Sequence, residues 1–148
     1  GLLHDIGRVV LLTKCPPEAA DAALGAAGEE ALSLERARFG VDHCSVGEQF
    51  AQRNRLPTQL VGPIINHHRP ESDTMHPELV ALVAFANRLV NYAQREHNVS
   101  KYDLAACPAY RVLGRRWAGP HQSAFAQSLP GVVVRAMKNT RVMLKSCA

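Results

Sequence analysis

The stretch GLLHDIGRVVLL, residues 1–12, decides how the rest of the chain is read. Leu2, Leu3, Ile6, Val9 and Val10 recur at the spacing of one helix face. Inside that apolar frame stand His4 and Asp5. Neighbouring side chains on a helix point about 100° apart, so the two cannot share a direction, yet both reach a point beside the helix. A neutral imidazole and a carboxylate converging there suit a divalent cation such as Fe, Mn, Ni or Zn. A buried histidine paired with an adjacent acid is more often a satisfied core pair, so the dipeptide does not decide the matter alone.

Three later stretches extend the pattern. In DHCSVGEQFAQRNRLP, residues 42–57, Asp42 is placed to cap a helix running to about Asn54. His43 then occupies the first helical position, where exposed N–H groups and the positive dipole end discourage protonation. That suits a metal ligand, although a surface histidine fits the same position. Gly47 allows close helix packing, and Cys44 reads as a small buried hydrophobe.

The next helix is expected over Pro57–His68, with Leu60, Val61, Ile64 and Ile65 as its buried stripe and Pro63 bending it. It ends in INHHRPE, residues 65–71. Of the two histidines, His67 lies on the edge of the apolar stripe and is expected to face His4, leaving His68 behind it or at the surface. Pro77 and Glu78 then open a long helix containing LVALVAFANRLV, residues 79–90, apolar at Leu79, Val80, Leu82, Val83, Ala86, Leu89 and Val90. It is the expected centre of the core, and Asn87 brings an amide into it.

GLLHDIG, the H-x-x-x-G helix closing in Leu56-Pro57, the His67-His68-Arg69-Pro70 run and the Ala86-Asn87-x-Leu89 helix, in this order, resemble the HDOD domain. That domain is a regulatory relative of the metal-dependent HD phosphohydrolases. The likeness is close over Gly1–Tyr92 and loose beyond. It implies an all-α, compact multi-helix HD-like bundle and a divalent-metal set of His4, Asp5, His43, His67 and Asn87. Catalytic HD enzymes carry an aspartate where this chain has Asn87, so the visible set offers one carboxylate, too little negative charge for a two-metal site. The G-Y-P segment of the cyclic-dinucleotide phosphodiesterases is replaced by Arg69-Pro70-Glu71.

The resemblance therefore implies a signalling module that works through a protein partner or a small ligand without hydrolysis. The alternative is a metal-dependent phosphohydrolase acting on a nucleotide or another phosphoester. There, His4, Asp5, His43 and His67 would hold a cation that activates a bound water, and His68 or Arg69 would steady phosphate oxygens. The chain opens on Gly within an expected helix, which reads as one helical domain, 1–148, cut from a longer protein.

Composition agrees with helices. The 148 residues are 47% hydrophobic but only 5% aromatic, so the core must be built largely from Ala, Leu and Val. No run approaches a membrane span and no signal sequence opens the chain, so a cytoplasmic protein is expected. Cys15, Cys44, Cys107 and Cys147 are scattered without a C-x-x-C pair and read as reduced thiols.

Residues 101–148 carry eight basic side chains against one acid, Asp103. Without the aromatic or glycine pattern of a nucleic-acid module, they read as solvated helix faces rather than a nucleic-acid surface. Further helices are expected at Glu18–Ala27, at Glu29–Arg38 closed by Gly40, and at Pro108–Arg116, Pro120–Ser128 and Pro130–Lys145, with Trp117 as a packing anchor. No chemistry is expected of the first two.

Overall fold

The computed structural model describes residues 3–14, 26, 28–96, 99–115 and 119–146, the side chains of 140–146 excepted. Among the described residues there are seven α-helices and no strand, so the chain is all-α. They are α1 (Ile6–Thr13), α2 (Gly28–Phe39), α3 (His43–Arg53), α4 (Thr58–Asn66), α5 (Pro77–Glu96), α6 (Pro108–Gly114) and α7 (Pro120–Ser146). Single 3₁₀ turns lie at Pro70–Ser72 and Val99–Lys101. The expected Glu18–Ala27 helix and Trp117 lie outside the described residues.

Packing runs along the chain: α1 lies on α3, α3 on α4, α4 on α5 and α5 on α6. Two glycines bring the first pair together. A methyl group on Gly7 would fall far inside contact distance of the His43 carbonyl oxygen, and 2.5 Å from the backbone nitrogen of Gly47. Gly47 in turn leaves room for Ile64 of α4, whose Cγ2 a methyl would meet at 2.6 Å. The main apolar cluster sits at the other end, where Ala81, Phe85 and Leu89 of α5 meet Tyr110 and Leu113 of α6 and Leu129 and Val133 of α7.

Several expectations shift. Residues 3–5 form a turn, and α1 starts at Ile6, so His4 and Asp5 precede the helix rather than lying within it. The face that α1 buries is Gly7 and Leu11, while Val9 is exposed, because the glycine contact with α3 sets its rotation. In α4 the buried residues are Gly62, Pro63 and Ile64, and Leu60 is exposed. The lack of a side chain at Gly62 lets Asp73 and Val80 approach, 2.8 and 3.1 Å from where its methyl would be.

Helix α5 is central to the core, but it buries Val80, Ala81, Val83, Ala84, Phe85, Leu89 and Ala93, whereas Leu79, Leu82 and Val90 face outward. With neighbours as close as α4 and α6, small alanines take the interior positions. The two C-terminal helices expected either side of Pro130 are one, α7. Phe125, Leu129, Val133 and Met137 continue a single every-fourth-residue stripe across the proline, and that burial holds the helix together through a residue that removes one ladder bond.

Candidate metal centre

Local rules place each histidine. Asp42 caps α3 in an extended conformation, its Oδ1 accepting the Ser45 backbone N–H at 2.8 Å. His43 is thereby fixed at the first helical position, 1% exposed. At the end of α4, Arg69 precedes Pro70 and so cannot readily continue a helix; the chain turns over His67 and His68, with Arg69 N–H donating to the Asn66 carbonyl at 2.9 Å. In this turn both rings point inward, and both are buried. His68 is therefore not at the surface: the divergence of adjacent side chains holds only while the helix lasts, and α4 stops one residue before the pair.

The three imidazoles meet through their Nε2 atoms. His43 Nε2 lies 3.4 Å from His67 Nε2 and 3.1 Å from His68 Nε2. Asp5 Oδ1 is 3.4 Å from both His43 Nε2 and His67 Nε2, and its Oδ2 is 3.2 Å from His4 Nε2. His43, Cys44, His67 and His68 form one group with ligand atoms within 4.8 Å of one another, and His4, Asp5 and His67 form a second. His67 belongs to both.

The hydrogen bonds behind the rings determine what they can donate. His67 Nδ1 lies 2.9 Å from the Pro63 carbonyl oxygen; a carbonyl only accepts, so Nδ1 carries the proton and the neutral ring presents an Nε2 lone pair. His43 Nδ1 lies 2.6 Å from Glu35 Oε2, which also accepts the His43 backbone N–H at 2.9 Å. Lone pairs and a carboxylate oxygen converging at these distances fit a divalent cation, and by ligand type one of the Fe, Mn, Ni or Zn kind. His4, Asp5, His43, His67 and His68 are the residues that would hold it.

The remaining expected residues stand differently. Asn87 lies on the wall of a cavity of about 150 Å³ shared with Asp5, Arg8, His68, Asn91 and Arg95, and its Oδ1 accepts from Asn91 Nδ2 at 3.3 Å. Arg69 points away: its guanidinium is paired through two 2.8 Å bonds with Glu29 of α2. Glu35 was not anticipated. It is fully buried on α2, in register with Ala31 and Leu32, and that register was its one signal in the sequence.

Residues 1–70 match the family model of the HDOD domain. The first 70 residues are HDOD-domain sequence. The match includes His4, Asp5, Glu35, His43, His67 and His68. An uncharacterized protein of Treponema pallidum (strain Nichols) is 31% identical over 116 residues, which is 76% of this chain and 22% of that protein. The chain thus spans about a fifth of that relative's length. No solved structure matches the chain.

Burial and charge act in opposite directions on the groups of this HDOD site. Burial alone would raise the Asp5 carboxyl, but hydrogen bonds and charge from His4 and His67 outweigh it and hold the group far below the usual carboxylate range. Glu35 behaves alike: the two bonds from His43, and the nearby Arg8, Nε to Oε1 3.3 Å, overcome desolvation and keep it ionised. Desolvation drives His68 down to about 3, with His67 and His43 adding to the effect, and His67 is lowered for the same reason. The Cys44 thiol is pushed up to about 12 by burial and by Asp42, so it stays protonated unless a metal displaces the proton.

A pH dependence follows. Unfolded histidine takes up a proton near pH 6.5 while folded His68 resists until about 3, so between these values the unfolded state binds more protons and stability falls as pH falls. Asp5 and Glu35 remain ionised in both states down to about pH 5 and do not oppose this. The metal-free protein is expected to lose on the order of 2 kcal/mol between pH 7 and pH 5 through His68 alone. Urea unfolding at the two pH values measures it, and a His68→Leu variant should show a flatter profile.

Proposed function

We propose that this HDOD segment is a regulatory signal-transduction module that holds a divalent cation at the His4, Asp5, His43, His67 and His68 centre, with Asn87 beside it. It acts by binding a protein partner or a small ligand and does not hydrolyse phosphoesters. The observation that carries this reading is the carboxylate count. Among the described residues, Asp5 alone brings a carboxylate to the cluster, and Asn87 supplies a neutral amide to the adjoining cavity. The second buried acid, Glu35, is spent on the far side of His43. Two adjacent cations are held well only where further negative charge faces the same point, and among the described residues the cluster has Asp5 alone to offer it.

The cavity beside the centre, with Arg8, Asn91 and Arg95 on its wall, supports small-ligand binding. We place the protein in the cytoplasm; no helix among the described residues is long and apolar enough to cross a membrane. The test is an assay of protein loaded in turn with Mn²⁺, Fe²⁺, Ni²⁺ and Zn²⁺ against p-nitrophenyl phosphate, nucleoside phosphates and cyclic dinucleotides. Release of phosphate or nucleotide no faster than from the Asp5→Ala variant is the expected result. Metal-dependent turnover that this variant abolishes would replace the regulatory reading with a phosphohydrolase.

A further inference from the structure

We infer that Glu35 is a positioning residue for the metal centre: it locks His43 in the tautomer protonated at Nδ1, so that the Nε2 lone pair faces Asp5, His67 and His68. The inference rests on the proposed cation site and extends it to a residue on a different helix. Three observations carry it. Glu35 is fully buried, and taking a carboxylate out of water is costly unless it is well paired. Its Oε2 sits 2.6 Å from His43 Nδ1 and 2.9 Å from the His43 backbone nitrogen, so one oxygen grips both the ring and its backbone. Its other oxygen faces Arg8 Nε at 3.3 Å, which keeps the group anionic and unable to donate a proton to the ring.

The other buried positions of α2, Ala31 and Leu32, are apolar, and buried ion pairs are often replaceable by apolar residues of similar volume at no loss of stability. What an apolar residue cannot do is dictate which nitrogen of His43 is free. Imidazole in water prefers its proton on Nε2, the atom that here must coordinate. A carboxylate behind a ligating histidine reverses that preference and raises the basicity of the ligand nitrogen.

The test uses the full chain in three forms: wild type, Glu35→Gln, which keeps an acceptor oxygen without the charge, and Glu35→Met, which keeps neither. Metal-free protein is titrated with Co²⁺ and read by visible absorbance, and long-range ¹H–¹⁵N spectra of the metal-free forms report the His43 tautomer. Urea unfolding follows stability separately, and Glu29→Gln, at an exposed position, serves as the control. The expected result is a loss of Co²⁺ affinity of about 10–100-fold in Glu35→Met, a smaller loss in Glu35→Gln, and movement of the His43 proton to Nε2. If Glu35→Met does not fold, the nearly isosteric Glu35→Gln carries the comparison.

Affinity within twofold of wild type and a retained Nδ1 proton, even with lowered stability, would overturn the inference and leave Glu35 a structural group. If wild type takes up no Co²⁺, the cation reading fails separately; the tautomer spectra then still decide, and a His43 that keeps its Nδ1 proton in both variants refutes the lock.

Discussion

Purified protein carries a divalent metal at close to one ion per chain, and the Asp5→Ala, His43→Ala double variant carries none: this is the expected outcome of elemental analysis on the two, expressed identically. Asp5 is the group whose loss should matter most, because its Oδ1 stands 3.4 Å from two imidazole nitrogens and it brings the negative charge to the cluster. His43 matters next, since its Nε2 lies within 3.4 Å of both His67 and His68. Groups that merely orient a ligand are worth about 10–100-fold in metal affinity, so removing two ligands at once should cost more than about 100-fold. The control is His76→Ala, whose ring instead bonds Thr58 at 3.0 Å; it should retain the metal. Absence of metal from wild type would make the histidines packing residues and move attention to partners.

The second large effect is expected at Gly7. Gly7→Ala would drive a methyl group into the His43 carbonyl and to within 2.9 Å of Gly47 Cα. These are backbone atoms of α3 and cannot turn aside, so α1 must move away. Overpacking of this kind costs about 3 kcal/mol or more when nothing can yield. Asp5 lies two residues before Gly7 and would move with α1, so metal affinity should fall together with the urea midpoint. Gly114→Ala makes the contrast: its methyl would meet Gln122 Nε2 at 2.8 Å, the end of a flexible side chain, and a cost below about 1 kcal/mol is expected.

Features governed by neighbours in sequence were legible before the structure. The Asp42 cap, the entry of His43 at the start of α3 and the opening of α5 at Pro77 all follow from local hydrogen-bond demand. So did the close approach allowed by Gly47. The rest was decided by distant partners. Asp5 and His4 were read inside a helix because the apolar spacing continues through them, yet the helix begins at Ile6.

The divergence of adjacent helical side chains places His68 behind His67 or at the surface, and the turn after Asn66 instead brings both rings inward. The outward Leu79, Leu82 and Val90 show the limit of hydropathy periodicity when the tightest contacts on a helix are made by alanines. Glu35 escaped notice because glutamate is rarely buried, and its partner is supplied by another helix.

The depth of the histidines has a bearing on descent. His43 and His67 are each 1% exposed, wedged between α1, α3 and α4, so most substitutions there would leave a hole or an unpaired neighbour and lower the yield of folded protein. Selection for folding alone would then keep these letters in place across generations, whatever becomes of the ion. A lineage can abandon the chemistry and still inherit its signature, with the half-buried Asn87 on the cavity wall freer to drift than the histidines.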